Sequence, residues 1–418
     1  DVAWTLMAAM DPAVAYPRAG DLAYVNEVRV EDSMTVHVEF SGPQPIFPDV
    51  FTDLAILPSH LFDSVAPAEI RQATFNREPI GNGPFRFVEY RPNQRWVFER
   101  WGDFPVDLGK PELNRFVVVI VDEATTKLAA LTSGELDFAG INPAHARFVT
   151  DNPELDVIDY PVQFAYAMIW NTRRSPFDDP ELRRALTMAV NRQLIVDAYL
   201  YGFGVVAEGP VSPEHPWYHP TPGIRFDPDL AGAKLDSLGW LLEADGVRQR
   251  NGHRLEIAML ATTSGANSLE QMVQAQLREV GVDATIRPLE LSAFLGVAQS
   301  EERDFDVLVT GIPGDFALGF VRALFGGESP GPLAYSGFDN VDFDRALERA
   351  GTAQTESELR DAWMDAQRIL GDEVPATWLY HARGVQGAAR RVGNVRIDLR
   401  GELATLTRWR ISQEGSQH

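Results

Sequence analysis

Asp315 stands alone in a Gly/Pro turn. The stretch VLVTGIPGDFALGF, Val307 to Phe320, begins as an apolar strand and breaks at Gly311, Pro313 and Gly314. It resumes with Phe316, Leu318 and Phe320, and the nearest basic residues along the chain are Arg303 and Arg322. A carboxylate so placed has two uses. It can cap a following helix by accepting from amides that lack intrahelical partners, or it can pair with a cation that is not part of the chain.

Other candidate chemistry is thin. Of 8 histidines only His215 and His219 are close, in PEHPWYHP, and the prolines forbid the helix that would bring i and i+4 onto one face, so the pair reads as a surface loop. No G-x-S-x-G elbow is present and there are 0 cysteines, which removes thiolate catalysis, disulfides and cysteine-ligated metals. GNGPF lacks the Lys-Ser/Thr of a phosphate loop and leads into a strand pattern. The chain gives no positive reason for an enzyme and none for a cofactor. Aromatic residues are more informative. Trp170 ends the apolar strand AYAMIW at Asn171-Thr172, and Trp217 sits among prolines. Each ring is open to two readings, core or loop packing and a platform for a ligand.

A chain of 418 residues, 45% hydrophobic and 23% charged, has the composition of two or three globular domains. The formal charge of -23 argues against nucleic acid and anionic membranes as partners, since both need a basic footprint. Apolar runs such as Phe116 to Val121 are too short to span a bilayer. The opening DVAWTLMAAMDP lacks the pattern of a secretory leader, and a leader removed earlier fits the same text.

The elements that must position these residues alternate between strand and helix. Ser33–Phe40 alternates apolar and polar residues as a half-buried strand. GPQPIFPDVF follows as a proline-punctuated loop. Glu78–Arg100 reads as a turn and a hairpin closed at Pro92-Asn93. RFVVVIV, with almost no alternation, predicts a buried strand, and DEATTKLAALTSGELD a helix ending at Gly134 before an LDF strand. Ser175–Gly202 predicts one long helix, with Asp179 as N-cap, Pro180 at the first position and Leu182, Leu186, Val190 and Leu194 at helical spacing. Further helices are expected at Asp227–Leu238, Ser268–Val280, Val341–Arg349 and Glu356–Leu370, and strands at Leu255–Leu260, Asp283–Pro288 and Asp304–Val309. The alternation implies α/β sheets covered by helices.

Several stretches, in order, resemble the family 5 extracellular solute-binding proteins of ABC importers, the dipeptide, oligopeptide and nickel-binding group. They are PIGNGPFRFVEYRPNQRWVFER, VDEATTKLAALTSGELDF, WNTRRSPFDDPELRRALTMAVNRQLIVDAYLYGFGVVAEGPVSP, AGAKLDSLGW and SGFDNVDFDRAL. The resemblance implies the two-lobe periplasmic-binding-protein fold (type II, cluster C), with an extra subdomain on the first lobe. Residues 1–75 would belong to that subdomain, 76–171 to the core of lobe I, 172–381 to lobe II, and 382–418 would return to lobe I. Members of the family carry a further segment before the counterpart of DVAWTLMAAMDP. The resemblance therefore leads to the expectation of a truncated, nicked or incompletely represented chain, with a separate N-terminal fragment as one option.

Carried over residue by residue, the resemblance places Asp315 where peptide-binding members pair an aspartate with the ligand's α-ammonium. Thr310, Gly311, Ile312, Pro313 and Gly314 would form a backbone rail beside it, and Trp170, Asn171 and Trp217 would line the cleft. The implied function is capture of a peptide or other amine-bearing small molecule, or second a carbohydrate such as an oligosaccharide, or an opine. Delivery to ABC permease subunits would follow, or presentation to a chemoreceptor. The implied place is periplasmic or extracellular, with a lipid anchor on an absent segment as one arrangement. Two departures bear on the ligand: the family's Trp before this Asp is replaced by Ile312-Pro313, and its Asn/Asp-Pro after it by Ala317-Leu318.

Overall fold

A computed structural model describes residues 1–16, 19–42, 54–62, 64–263, 267–327 and 333–412. Most of the expected proline-punctuated loop after Phe40 lies outside the described residues. The chain forms two compact units, residues 1–158 with 385–418 and residues 159–384.

The first unit opens with helix α1 (Val2–Met10) and the hairpin of β1 (Val25–Val30) and β2 (Val36–Phe40). A second antiparallel sheet runs β3 (Phe85–Arg91), β4 (Arg95–Arg100), β5 (Arg115–Val119). The hairpin turn is made by Asn93 at φ 56, a left-handed position that asparagine tolerates. Helix α2 (Ala124–Ser133) starts where Glu123 accepts from the Thr126 amide and stops at Gly134, φ 80. It packs on β6 (Phe138–Gly140), with Leu131, Ala139, Val149 and Leu155 forming a small core.

β5 corrects one expectation. RFVVVIV is not a buried strand: Val117, Val118 and Val119 are 42%, 38% and 44% exposed. The strand is the edge of a three-stranded sheet, and the exposure of its valines shows that no second layer covers the run among the described residues.

Strand β7 (Leu155–Trp170) carries the chain into the second unit. There follow α3 (Pro180–Met188), α4 (Arg192–Ala198), β8 (Gly204–Val206), α5 (Pro228–Ser237) and a small sheet of β9 (Leu241–Leu242), β10 (Arg248–Arg250) and β11 (His253–Arg254). Two strand–helix crossovers come next, β12 (Glu256–Thr262), α6 (Ser268–Glu279), β13 (Asp283–Leu289), α7 (Leu291–Gln299) and β14 (Val307–Pro313). Helices α8 (Gly319–Phe325), α9 (Val341–Thr352) and α10 (Glu356–Glu373) then lead to β15 (Ala376–Ala389), which returns to the first unit. The sheet order is β13-β12-β14-β7-β15. β12 is parallel to β13 and β14, β7 is antiparallel to β14, and β8 is antiparallel to β15.

Helices cover both faces, as expected for a sheet built from crossovers. The two-residue period of the strands sorts the core. Ala165, Ala167 and Ile169 of β7 and Leu308 and Ile312 of β14 join Phe294, Phe325, Trp363 and Trp378 on one side. Met168, Trp170, Val307 and Val309 join Leu186, Ile195, Val273 and Leu277 on the other.

The expected long helix over Ser175–Gly202 is two helices. Asp179 does cap the first, accepting from the Glu181 amide with Pro180 at the first helical position. The chain breaks at Ala189-Val190, and Asn191 restarts it by accepting from the Leu194 amide, while its own amide is held by Gln276 Oε1. Leu194 is consequently 45% exposed instead of continuing the buried stripe.

Candidate functional site

The site is built at the end of β14. The strand does not stop at Val309: Thr310 to Pro313 stay in register with Ala167, Tyr166, Ala165 and Phe164 of β7. The Gly314 amide then donates to the Gln163 carbonyl at 2.8 Å, and at the strand's other end the Asn171 amide donates to the Asp306 carbonyl at 2.9 Å. In an antiparallel ladder, hydrogen-bonded positions alternate. Positions 308, 310, 312 and 314 therefore turn their backbone groups toward β7, whereas 307, 309, 311 and 313 turn theirs away; at 306 the carbonyl faces Asn171 and the N–H donates to the Ala258 carbonyl of β12 at 3.1 Å. Parallel β12 uses the outer edge beside Asp306, Val307 and Leu308. Beyond it, the Gly311 N–H and C=O and the Pro313 C=O face the outer edge, where no strand pairs with them among the described residues, and the Gly311 carbonyl accepts a long bond from the Thr310 hydroxyl at 3.4 Å. The rail expected over Thr310–Gly314 is thus half committed: Thr310, Ile312 and Gly314 are turned to the sheet, and Gly311 with Pro313 is the outward part.

Glycine at 311 has a steric reason. A Cβ there would come within 2.4 Å of Phe164 Cζ and 3.3 Å of Tyr166 Cε2. The ring of Phe164 fills the space of a side chain, which leaves the outer backbone edge clear of one. Ile312 points to the opposite face, 4% exposed.

Asp315 follows the rail and is half-buried. Its Oδ1 accepts from the Gly319 amide at 2.9 Å and its Oδ2 from the Phe320 amide at 3.1 Å. Both oxygens thus serve the first turn of α8, the capping role the sequence allowed. Leu318, buried and at φ 59, provides the left-handed residue before the helix.

Beneath this turn lies a small cavity of about 10 Å³, lined by Gln163, Ser212, His215, Ile312, Gly314 and His381 among others. His215 and His381 are each 4% exposed. Burial pushes both imidazoles down to about 4; the carbonyls of Phe316 and Asp315 partly oppose this at His215, and Glu214 and the Gly209 carbonyl do so at His381. In sequence PEHPWYHP reads as a surface loop, and no local pattern marks His381. His215 is inside, with its ring 5.7 Å from that of Phe316. The signal available was Val211 and Ser212 preceding it, a loop rooted in the core.

The remaining expected site residues are placed elsewhere in the second unit. Trp170 is fully buried, stacked on Phe177 at 5.6 Å, with Nε1 donating to Thr377 Oγ1 at 3.0 Å. Asn171, 3% exposed, donates from Nδ2 to the carbonyls of Arg303 and Phe305 at 3.0 Å. Both are enclosed within the second unit and bonded to its own chain. Trp217 is half-buried under the Arg360 guanidinium, 5.4 Å from its ring centre, packs against the core that includes Ile312 and Leu318, and donates from its amide to His215 Nδ1 at 3.1 Å. Among the described residues no group of three or more His, Asp and Glu could hold a metal ion, and no helix is long and apolar enough to cross a membrane.

Comparison with known proteins gives this geometry a context. The family model for bacterial extracellular solute-binding proteins, family 5 Middle, matches residues 1–325. The oligopeptide-binding protein AppA of Bacillus subtilis (strain 168) is 25% identical over 374 residues, 86% of this chain and 67% of that protein. The nickel-binding periplasmic protein of Escherichia coli (strain K12) is 29% identical over 243 residues, 54% of this chain and 45% of that protein. The chain thus spans two thirds or less of the length of these relatives. The solved structure of a putative peptide-binding protein AppA from Clostridium difficile is similar in fold, with a TM-score of 0.87 at 20% identity over 99% of this chain and 85% of that one. With the family model matched across more than half of its length, the chain belongs to the bacterial extracellular solute-binding proteins, family 5.

Proposed function

We propose that this protein is the substrate-binding component of an ABC importer, acting outside the cytoplasmic membrane, and that it takes a peptide or another amine-bearing small molecule on the β14 rail. The observation that carries the reading is the outer edge at Gly311. One N–H and two carbonyls, those of Gly311 and Pro313, face away from the sheet and can bond a ligand's main chain as an added strand would. Asp315 stands four residues further along, where a ligand ammonium would meet a carboxylate. An oxygen that accepts one amide bond has a second lone pair for such a contact. Capping and ligand pairing would then share the carboxylate, so ligand and the first turn of α8 would be coupled.

Binding would shift an equilibrium between conformations through contacts made in only one of them, and no covalent step is required. Residues 1–75 as an extra subdomain, the ABC permease subunits as partners, and a carbohydrate as the alternative ligand belong to the same proposal. Native mass spectrometry of gently purified protein tests it. A retained ligand bearing an amine and amide groups is expected. A retained sugar without an amine replaces the amine-bearing ligand by the carbohydrate alternative, and turnover of the ligand by the pure protein overturns the binding role itself.

A further inference from the structure

Two polar atoms beside the rail have no hydrogen-bond partner among the described residues: Nε2 of His215 and Nε2 of His381. Both rings are more than nine-tenths buried and both line the cavity under Gly314. At His215 the other nitrogen fixes the tautomer. His215 Nδ1 accepts from the Trp217 amide at 3.1 Å, so in the neutral ring the proton sits on Nε2. The Gly209 carbonyl lies beside the His381 ring and those of Phe316 and Asp315 beside the His215 ring, but neither Nε2 meets a partner in hydrogen-bond geometry among the described residues. One wall therefore presents a donor and another an unpartnered ring nitrogen, across a space of about 10 Å³ that admits one water.

We propose that one ordered water bridges the two rings, accepting from His215 Nε2–H and donating to His381 Nε2, and that His215 and His381 are positioning residues that hold the Gly314–Asp315 turn through it. Gln163 and Ser212 on the same wall offer acceptors for the water's second hydrogen. The bridge ties three elements that share no ladder at this point: the loop carrying His215, strand β15 carrying His381, and the end of β14. It requires both rings neutral. The charged groups around them are Glu214, which bonds Arg383 at 3.0 Å, and Asp159 on the same arginine, while Asp315 meets the His215 ring through its backbone carbonyl. Protonating either ring turns its lone pair into a second donor and removes a hydrogen-bond acceptor from the network, so the turn loosens in acid. The consequence for ligand capture rests on the proposed function, whereas the bridge itself does not.

The test needs no ligand. Long-range 15N–1H spectra of the uniformly labelled full chain, assigned with His215→Gln and His381→Gln, read the tautomer and titration of each ring. The expected result is an Nε2–H tautomer for His215, an Nδ1–H tautomer for His381, and no titration of either above pH 5.5. Hydrogen exchange of the Gly314 amide should accelerate at least tenfold in His381→Gln while α9 amides stay unchanged. A crystal structure should show one solvent peak between the rings. The same tautomer in both rings, titration near 6.5, an empty cavity, or unaltered Gly314 exchange in both variants each overturns the proposal. If ligand binding fails to appear while these signatures hold, the proposed function falls and the bridge stands.

Discussion

Replacing Asp315 separates a capping carboxylate from a ligand anchor, because Asn and Ala act differently on the two roles. The carboxylate accepts two amide bonds, to Gly319 at 2.9 Å and Phe320 at 3.1 Å. Asp315→Ala removes both, and loss of a helix N-cap costs about 1–2 kcal/mol. For a unit of this size, ~1 kcal/mol corresponds to a Tm shift of about 2–4 °C. Asp315→Asn keeps one acceptor oxygen and should lose about half as much. On the ligand side the order reverses in weight. An ammonium paired with the carboxylate loses its charge-assisted bond in either variant, about 1.5–3 kcal/mol, or roughly a 10- to 150-fold rise in Kd. Asp315→Asn should therefore weaken binding as strongly as Asp315→Ala with about half its fall in Tm. Calorimetric titration with the ligand recovered by native mass spectrometry, beside differential scanning calorimetry of the unliganded chain, gives both numbers. A Kd within threefold of the parent in Asp315→Asn, with Tm falling in Asp315→Ala, refutes the anchor and leaves Asp315 a cap.

Three further outcomes follow from the same geometry. Gly311→Val drives a side chain into the Phe164 ring, where even a Cβ lies 2.4 Å from Cζ. It should destabilise by about 1–3 kcal/mol in urea unfolding, with Phe164→Ala in the same chain restoring part of the loss. Arg183→Met strands the carbonyls of Phe177, Glu373 and Val374, which the buried guanidinium now satisfies. A loss of about 3 kcal/mol or more is expected from leaving several buried acceptors unpaired. Stability should also fall in acid. His215 and His381 have folded values near 4 against an ordinary 6.5, so below 6.5 the unfolded chain takes up protons that the folded chain refuses. The contribution is full above pH 6.5 and is lost as pH falls toward 4, on the order of 3 kcal/mol per ring at the limit. Urea midpoints between pH 7 and 4.5 should show a flatter slope in His381→Gln, and an unchanged slope would mean that this ring does not stay neutral.

Much of the second unit was legible because its signals are local. Asp179 and Pro180 start α3, Thr355 and Glu358 close a capping box on α10, and β12, α6 and β13 carry plain periods with short connections. The misreadings involve the same information seen without its neighbours. RFVVVIV has the composition of a covered strand, yet cover is a property of what lies opposite, and β5 is an edge. The helix break at Ala189-Val190 depends on Gln276, 85 positions away, holding the Asn191 amide. Apolar spacing across the break could not report that contact.

The candidate site divides along the same line. Asp315 was visible as a carboxylate with two possible uses, and Gly311 as a break in a strand pattern. Register reverses the meaning of that break. Gly311 does not end β14. It stays in the ladder so that Phe164 can lie over it, and the strand continues two residues further with no described strand on its outer edge. Trp170 looked equally suited to a ligand or a core, and the stacked Phe177 and the Thr377 hydroxyl, 207 positions away, decide for the core. His381 gave no local signal because its significance lies in its neighbours. A histidine in a buried strand usually means a satisfied core side chain, and only the nearby His215 turns two incomplete hydrogen-bond inventories into one water-sized site. The chemistry of the turn therefore rests on backbone groups and shared protons more than on its one conspicuous acid. For that reason the ligand's main chain, and not its charge alone, should dominate what this rail selects.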